Sequence, residues 1–494
     1  MCSQTSETVV ALPQHDGGKQ PPLILDLDGT LLRTDLLVEG IVNAFFHKPL
    51  QLVAALPLAL ISRSRFKHRI ASITEIDINS MPVNSELVAY AGEQKKLGRD
   101  IHLYTASSQS LADKVKARFD FLDTALGSSE KSNLKAARKS DALKEHFPDG
   151  FVYAGDTRAD LPVWEDAQAA ILVDVPKSVN RAVVNSGKEI EARFRNSGSP
   201  LKSWLKAMRI HQWAKNALIF VPLLLSHQYL DPAAVVRSVA AFFVLSIAAS
   251  GTYILNDLAD LSADRRHQVK RNRPFASGKL NLLAGLVLAI FMVSGGLVAG
   301  AFVSPGFFFA LSSYLILTLA YSFGLKRVPV LDVVILATLF TLRLAMGTEA
   351  SATVYSEWLL TFSMFFFLSL SMAKRYVEVA ARSENCGELI GGRGYRGEDR
   401  MFVSTMGIGT GVASLLILVL FLREDAFKVN IYQTKGFLWG IPVVMSLFLG
   451  RVWLLASRQE LHDDPVAFAV KDKTSYLLGF ALVVCMLAAI LVPS

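Results

Sequence analysis

Cysteine is scarce in this chain: among 494 residues it occurs only as Cys2, Cys386 and Cys485. Three cysteines so far apart argue against a disulfide framework and against a cysteine-ligated metal site. The N-terminus also lacks an apolar run. We therefore expect no signal peptide, and we expect residues 1–20 to form a disordered tail.

Apolar residues are abundant instead, at 52% of the chain, and the mean hydropathy of +0.36 is high for a soluble protein. They form successive apolar runs after about residue 203, whereas the residues before it are typical of a soluble domain. The formal net charge is +8, but Lys and Arg cluster in loops between the apolar runs. This placement favours membrane topology and anionic substrates, and we expect no nucleic-acid partner.

Residues 21–190 alternate short apolar strands with helical stretches. The predicted strands are 23–25, 101–104, 151–154 and 170–173, and the clearest helices are 108–118 and 133–145. This alternation predicts an α/β domain with a doubly wound parallel sheet, whose site lies at the carboxyl edge of the strands.

Polar residues follow the predicted strands: Asp26 and Asp28 after the first and Thr105 after the second, while Lys139 opens a later run. Together with two further aspartates they resemble, in order, the four motifs of the haloacid dehalogenase-type phosphatase superfamily. The resemblance implies that Asp26 is the nucleophile, which forms an aspartyl-phosphate, and that Asp28 is the general acid and base. It implies that Thr105 holds the phosphoryl group and that Lys139 neutralises the nucleophile and phosphate, with Lys135 as the competing candidate.

The fourth motif is the pair Asp156 and Asp160 after the third strand. The resemblance implies that this pair binds Mg²⁺ together with Asp26. The residue types also fit the chemistry, because a carboxylate attacking a phosphomonoester needs a cation to reduce repulsion and a second carboxyl group to protonate the leaving alcohol. A degenerate domain without catalytic activity is the alternative.

An insertion at about residues 33–97 separates the first two motifs, and the resemblance implies a helical cap over the site. Within it, Ile41–Ile61 is apolar but contains His47, Lys48 and two prolines. The run falls short of the roughly 20 uninterrupted residues that a spanning helix needs. A cap that packs on itself is favoured, and a membrane-dipping hairpin stays open. We assign residues 191–204 to a charged linker.

Residues 205–494 contain about nine apolar runs, most of them long enough to span a bilayer. The runs are 212–229, 234–256, 281–303, 305–325, 328–348, 356–374, 402–422, 436–456 and 475–493. We therefore predict an all-α polytopic membrane domain of about nine transmembrane helices. The loops 258–280 and 374–400 are rich in Lys and Arg, whereas the connection at 348–357 has none. The positive-inside rule then predicts the inner (cytoplasmic) membrane, with the N-terminal domain in the cytoplasm and the C-terminus outside.

The segment from Asn256 to Arg273 carries the strongest chemical signal. Asp257, Asp260 and Asp264 are spaced by three and four residues, which places them on one face of a helix. They repel one another unless a cation lies between them, and Mg²⁺ that also binds substrate phosphates is the expected cation. The basic residues that follow, up to Arg273, are expected to bind the phosphates.

Few other charges lie in the apolar runs, so each is a functional candidate. Asp332 and Arg343 stand eleven residues apart in the fifth run, roughly on one face. A structural ion pair between these two residues is the alternative. Further candidates end the fourth and sixth runs: Tyr321, Lys326, Lys374 and Arg375. For Lys326, simple topology and headgroup contact is the alternative.

This pattern resembles the UbiA-type intramembrane prenyltransferase superfamily over about residues 205–494. Typical members carry a second motif, Asp-x-x-x-Asp, and use both motifs to bind the diphosphate of a prenyl donor. Here Leu336 stands where the second aspartate is expected after Asp332. The departure argues against a second metal held by a full carboxylate pair.

One branch of that superfamily is more similar. The chain resembles the decaprenyl-phosphate phosphoribosyltransferases of actinobacterial cell-wall synthesis in five runs: 264–267, 270–274, 321–322, 330–332 and 374–376. Gln268 stands where those enzymes usually have proline. The resemblance implies Mg²⁺-dependent transfer of phosphoribose from 5-phosphoribosyl pyrophosphate to a polyprenyl phosphate. The fused phosphatase would then remove the 5-phosphate of the lipid-linked product.

The implied ligands fall into two sets. The metal–pyrophosphate would be held by Asn256, Asp257, Asp260, Asp264 and Asp332. The substrate phosphates would be contacted by Arg265, Lys270, Arg273, Tyr321, Lys326, Arg343, Lys374 and Arg375. Two rivals remain: an aromatic prenyltransferase with a polyprenyl diphosphate donor and a separate phosphatase activity, and a transporter or scaffold with a regulatory phosphatase.

Overall fold

The computed structural model describes residues 20–128, 136–195, 199–381, 394–461, 468 and 472–493. The tail expected at residues 1–20, apart from Gln20, and the rival lysine Lys135 lie outside the described residues. The chain divides into two compact units, and each is described by itself. The first unit contains the described residues of Met1–Met208 and Tyr253–Ala289, and the second contains those of Arg209–Thr252 and Ile290–Ser494.

A six-stranded parallel sheet forms the core of the first unit, as the strand–helix alternation predicts. The strands are β1 (Leu23–Leu25), β2 (Ile101–Ser108), β3 (Thr124–Ser128), β4 (Val152–Gly155), β5 (Ala169–Val173) and β6 (Glu189–Phe194). Their order is β3-β2-β1-β4-β5-β6. Leu23 of β1 pairs with Ile101 on one side and Val152 on the other. The strand order reverses at β1, so the loops after β1, β2 and β4 meet at the carboxyl edge, where such sheets hold ligands.

Two strands were not predicted. β3 is short and only partly buried. β6 alternates polar and apolar residues, as an edge strand with one buried face does, and it buries Ala192 and Phe194. Residues 191–194 therefore belong to the sheet, and their assignment to a linker was wrong. That assignment rested on the charged residues of the segment and overlooked the alternation of polar and apolar residues that is typical of a strand.

Helices cover both faces of the sheet and form the insertion. They are α1 (Leu36–His47), α2 (Pro49–Ile61), α3 (Arg63–Ile73), α4 (Ser85–Lys96), α5 (Gln109–Arg118), α6 (Ala137–His146), α7 (Leu161–Asp166), α8 (Lys177–Asn185) and α9 (Pro200–Ala207). The insertion is helical, as expected, and α1 to α3 share a small core that includes Leu52 and Phe66. Asp35 begins α1, because its carboxylate accepts the N–H groups of Leu37 and Val38.

The membrane half consists of helices. They are α10 (Val221–Leu225), α11 (Pro232–Ala259), α12 (Leu261–Arg266), α13 (Leu282–Val303), α14 (Pro305–Phe323), α15 (Leu331–Ser351), α16 (Glu357–Ala380), α17 (Arg400–Glu424), α18 (Gly440–Ser457) and α19 (Lys473–Leu491). Within the described ranges, seven are long and apolar enough to cross a membrane: α11, α13, α14, α15, α17, α18 and α19. The chain leaves the second unit within α11 and returns to it within α13, so α12 belongs to the first unit.

The predicted number of nine transmembrane helices is not confirmed. The first predicted run, 212–229, forms a 3₁₀ helix (Ile210–Phe220) and the short α10. Pro222 contributes to this break, because it lacks the N–H that a continuous helix needs. The sixth run, 356–374, lies in α16, whose buried face carries several serines and Arg375. Within the described ranges, α16 is not among the seven helices that are long and apolar enough to cross a membrane.

Candidate active sites

The first site lies at the carboxyl edge of the sheet, just after β1. Lys139, in the first turn of α6, donates from Nζ to Asp26 Oδ1 at 2.9 Å and to the Tyr153 hydroxyl at 2.9 Å. The lysine is buried, at 3% exposed. An ammonium group in this position stabilises the charged form of the carboxylate. The structure therefore brings together the predicted nucleophile and the predicted lysine.

Two further carboxylates join that of Asp26 at this site. One oxygen from each of Asp26, Asp156 and Asp160 lies within 4.8 Å of the others. Burial raises the pKa of Asp26 although Lys139 opposes it, and burial with repulsion from Asp26 raises the pKa of Asp156 to about 8. Asp160 is fixed by the Tyr153 hydroxyl, which donates to its Oδ1 at 2.9 Å. Hard oxygen donors that repel one another in this way fit Mg²⁺.

Asp28 lies at the boundary between the sheet and the cap. Its Oδ1 accepts the N–H of Leu36 at 2.9 Å, and its Oδ2 accepts the hydroxyl of Ser107 at 2.8 Å. Burial, and to a smaller extent repulsion from the carboxylate of Asp35, raises the pKa of Asp28 to about 7. A cavity of about 60 Å³ is lined by Asp28 and Ser107 on one side and by Lys67 and His68 of α3 on the other. A carboxyl group that is partly protonated near neutrality, facing such a cavity, suits a general acid.

The turns around these aspartates are tightly constrained. Thr105 is fully buried, and its Oγ1 accepts the N–H of Ser107 at 3.0 Å. The hydroxyl of Thr30 donates to Asp156 at 3.3 Å. Gly29 has a φ of +78°, and a β-carbon there would overlap the carboxylate of Asp156. Only glycine fits at this turn.

The aspartate-rich motif lies where α11 ends and α12 begins. Arg273 Nη1 donates to Asp257 Oδ1 at 3.1 Å and to Asp264 Oδ2 at 2.7 Å, and both carboxylates are buried. Burial raises the pKa of Asp264 although Arg273 opposes it. Asp260 and Asn256 are half-buried. The guanidinium of Arg273 lies between two of the predicted carboxylates, and two buried carboxylates fixed around one positive charge also fit a divalent cation.

Arg265, predicted to contact substrate, is instead held inside the first unit. It forms a bidentate ion pair with Glu39 of α1, with Nη2–Oε1 at 2.5 Å and Nη1–Oε2 at 3.2 Å. The two side chains are only 4% and 6% exposed. The adjacent Arg266 is exposed and pairs with Asp77 at 2.6 Å. Because the guanidinium of Arg265 is committed to Glu39, its predicted role as a phosphate ligand is not supported. Lys270 is exposed in the following turn.

In the second unit, Asp332 and Arg375 form a buried ion pair. Arg375 Nη2 lies 2.7 Å from Asp332 Oδ2, and both side chains are fully buried. The Tyr395 hydroxyl donates to Asp332 Oδ1 at 2.8 Å and accepts the N–H of Val330 at 2.7 Å. Val330 has a φ of +68°, which is strained for a β-branched residue. Arg375 also pairs with Glu378.

Arg343, eleven residues after Asp332 on α15, has different partners. Its Nε donates to Asn216 Oδ1 at 2.9 Å, its Nη2 to the Tyr314 hydroxyl at 2.9 Å, and its Nη1 to a backbone carbonyl one turn earlier. The alternative of a structural pair between Asp332 and Arg343 is therefore wrong, because Arg375 pairs with Asp332 instead. The same pairing argues against Asp332 as a metal ligand. The partners of Arg343 are neutral, so its charge remains available to an anion.

Tyr321, Lys326 and Lys374 are half-buried near the ends of their helices. Tyr321 interacts electrostatically with Lys374 and with the ion pair of Asp332 and Arg375. The second unit thus gathers most of its predicted substrate-binding residues near the start of α15 and the end of α16.

An apolar cavity of about 950 Å³ lies toward the other ends of α15 and α16. Its lining includes Leu344, Leu360, Phe366, Met445 and Met486. Phe366 precedes the end of α16 that carries the charges by roughly two turns, or about 12 Å along the helix axis. Within the second unit, a charged region and an apolar cavity therefore lie along the same two helices.

Comparison with known proteins places these residues in a family. The model of the UbiA prenyltransferase family matches residues 217–477, more than half of the chain. The chain belongs to this family. Among relatives, the uncharacterized protein y4nM of Sinorhizobium fredii is 40% identical over 458 residues, which are 93% of this chain and 89% of that protein. Nodulation protein NoeC of Azorhizobium caulinodans is 31% identical over 288 residues, 57% of this chain and 92% of that one. Decaprenyl-phosphate phosphoribosyltransferase of Corynebacterium glutamicum is 29% identical over 293 residues, 58% and 86% of the two chains.

Sequence reasoning missed several residues of this UbiA-family chain that hold its charged groups. Glu39 and Tyr395 are far in sequence from their partners, and no local pattern marks them. Tyr153 and Ser107 do stand within three residues of predicted site residues, and Asn216 is a polar residue in an apolar run. These three positions carried a signal that could have been used.

Proposed function

We propose that this UbiA-family chain transfers phosphoribose from 5-phosphoribosyl pyrophosphate to a polyprenyl phosphate, and that its first unit then removes a phosphate from the lipid-linked product. The name of the Corynebacterium relative suggests the first reaction. The single structural observation that carries it is the neutralisation of Asp332 by Arg375. Asp332 is the one aspartate left of the second carboxylate motif, since Leu336 replaces the other, and Arg375 cancels its charge. Around Arg273, by contrast, Asp257 and Asp264 together keep a net negative charge that a divalent cation would offset.

The transferase step uses more positive charge than alkylation of an aromatic ring. An oxygen of the polyprenyl phosphate would attack C1 of the sugar, and the bond from C1 to pyrophosphate would break. Asp257 and Asp264, with Asp260, would hold Mg²⁺, which neutralises charge on the leaving pyrophosphate when bound. Arg273 would then be released from the two carboxylates to the phosphates. Buried Arg343, with neutral partners, supplies a further site for a substrate phosphate.

The apolar cavity supports a lipid acceptor. It lies toward the opposite ends of α15 and α16 from Asp332 and Arg375, and its lining is mostly apolar. A phosphate bound near the charged end and a hydrocarbon chain in the cavity fit one amphipathic substrate. Together with the Lys- and Arg-rich loops, this favours an enzyme of the inner membrane whose catalytic groups face the cytoplasm.

The phosphatase step would take place at the carboxyl edge of the sheet in the first unit. Asp26 would attack the phosphorus of a phosphomonoester, and Asp28 would give its proton to the leaving oxygen as that bond breaks. Lys139 would neutralise the nucleophile, and Asp156 and Asp160 would hold Mg²⁺ together with Asp26. Asp28 would then take a proton from the water that hydrolyses the aspartyl-phosphate. The products are an alcohol on the sugar and inorganic phosphate.

The test is incubation of the purified full-length protein, in detergent with Mg²⁺ and polyprenyl phosphate, with labelled 5-phosphoribosyl pyrophosphate. Wild type should place label in the lipid fraction, Asp257→Asn should not, and Arg266→Gln is the matched control because Arg266 is exposed. Asp26→Asn should accumulate the phosphorylated lipid that wild type converts. Without lipid label in wild type the sugar-donor proposal fails, and a prenyl diphosphate with an aromatic acceptor becomes the next substrate pair to test.

A further inference from the structure

Helix α2 of the cap has an exposed face that is almost entirely apolar. Leu50 is 84% exposed, Leu60 is 93% exposed, and Val53, Leu56 and Ile61 are also more than half exposed. At 100° per residue, these side chains occupy an arc about 140° wide. The opposite face, with Leu52 and Ala55, packs on α1 and α3. A helix that is apolar all round is normally buried on all sides.

Positive charge surrounds this face. Lys48 precedes α2, and α3 carries exposed Arg65, His68 and Arg69 and half-buried Lys67. Neither helix contains an acidic residue. An apolar face with basic neighbours is complementary to a bilayer with anionic headgroups. With 13 residues, α2 is too short to span such a bilayer, so it would lie in its interface.

A bilayer is also the surface to which this chain is already tied, because seven of its described helices are able to cross one. Attachment to the membrane keeps α2 at high local concentration near lipid, so even a weak interfacial helix would bind. We propose that the exposed face of α2 docks the phosphatase cap onto the lipid headgroup region of the membrane.

Docking has a consequence for the substrate, and this part rests on the proposed phosphatase function. The cavity beside Asp28 is lined by Lys67 and His68 of α3, the helix that packs against α2. It therefore lies about one helix diameter, roughly 10 Å, from the docked surface. A phosphomonoester carried on a lipid could reach it without leaving the bilayer. The substrate class is thus a lipid-borne phosphomonoester.

The experiment measures lipid contact in the full-length protein. Cysteine-free protein carrying Leu60→Cys, labelled with the fluorophore NBD, is placed in nanodiscs containing phosphatidylglycerol with and without doxyl-labelled lipid. The matched control is Ala117→Cys, a small, exposed position on α5 of the same unit. Doxyl lipid should reduce the emission at position 60 about twofold or more and leave position 117 unchanged. Equal emission with and without doxyl lipid at position 60 overturns the proposal, and a blue-shifted but unquenched label would show that protein, such as a second copy, covers the face.

A second measurement separates docking from catalysis. The double variant Leu56→Glu with Leu60→Glu should hydrolyse a soluble aryl phosphate as wild type does, but should lose about tenfold or more of its turnover of a lipid-borne phosphomonoester. An equal loss on both substrates contradicts the inferred substrate class. If wild type hydrolyses neither compound, the phosphatase proposal fails, and the fluorescence result alone decides whether α2 docks.

Discussion

Replacing Glu39 with glutamine would leave the guanidinium of Arg265 buried without its counter-ion. The two side chains are 6% and 4% exposed, and they share two close contacts. Removing one partner of a buried ion pair typically costs about 3–5 kcal/mol, because the remaining charge stays out of water. For a compact unit of this size, each kcal/mol lowers the melting temperature by about 2–4 °C. Glu39→Gln should therefore lower the melting temperature of the first unit by roughly 6–20 °C.

The neighbouring pair provides the control. Arg266 and Asp77 are as close, at 2.6 Å, but their side chains are 67% and 34% exposed. An exposed pair contributes about 0–1 kcal/mol, so Asp77→Asn should shift the melting temperature by only about 0–4 °C. Arg265 and Arg266, adjacent on α12, thus allow a buried and an exposed ion pair to be compared in the same protein.

The assay is thermal unfolding of the full-length protein in detergent, followed by tryptophan fluorescence. A double variant, Glu39→Leu with Arg265→Met, removes both charges and should be more stable than Glu39→Gln alone, since no buried charge remains. Equal shifts for Glu39→Gln and Asp77→Asn would refute the reasoning, because burial would then make no difference. Additive losses in the double variant would also contradict it.

Four further outcomes follow from the two sites. Asp28→Asn should release nitrophenol from p-nitrophenyl phosphate in a first single-turnover burst at about the wild-type rate, but the burst from an alkyl phosphate, whose leaving group needs a proton, should slow by about 100-fold or more; equal losses would exclude the general-acid role. Since burial raises the pKa of Asp28 to about 7 and the protonated form donates, wild-type turnover of the alkyl ester should fall as the pH rises through about 7. Removal of divalent cations with EDTA should abolish both pyrophosphate release and phosphate release, and Mg²⁺ should restore them; activity that survives EDTA would contradict the carboxylate-bound metal. Asp332→Asn should destabilise the second unit by about 3–5 kcal/mol in thermal unfolding, because it leaves Arg375 buried, and an unchanged melting temperature would show that Glu378 alone neutralises it.

Local patterns were sufficient for the candidate site at the carboxyl edge of the sheet. Asp26 and Thr105 follow strands that any parallel sheet brings to one edge, so their proximity is a consequence of topology. Lys139 could be placed beside Asp26 only through a family resemblance. The edge strand β6 was missed because its alternation was judged by charge, although that same alternation buries Ala192 and Phe194.

The partners of the charged residues were harder to predict. Spacing along α15 offered an ion pair between Asp332 and Arg343 as the alternative, but spacing indicates only which residues share a helix face. Tyr395 and Arg375, from other parts of the chain, contact Asp332 in the fold. Likewise, Arg273 was expected to bind substrate phosphates, and its ion pairs with Asp257 and Asp264 were not predicted. Long-range pairing of buried charges depends on packing that a single sequence does not contain.

The segment at 253–289 belongs to the same compact unit as residues 1–208. Its Gly278 has a φ of +71°, and a β-carbon there would lie 2.7 Å from that of Arg33, so the segment is fitted closely to the start of the cap. A single cut near residue 204 would therefore divide one compact unit between two polypeptides. It would separate the segment from Glu39, which pairs with Arg265, and from Arg33, against which Gly278 packs. If the gene were split at this point, or the membrane half expressed alone, other residues would have to replace these lost contacts.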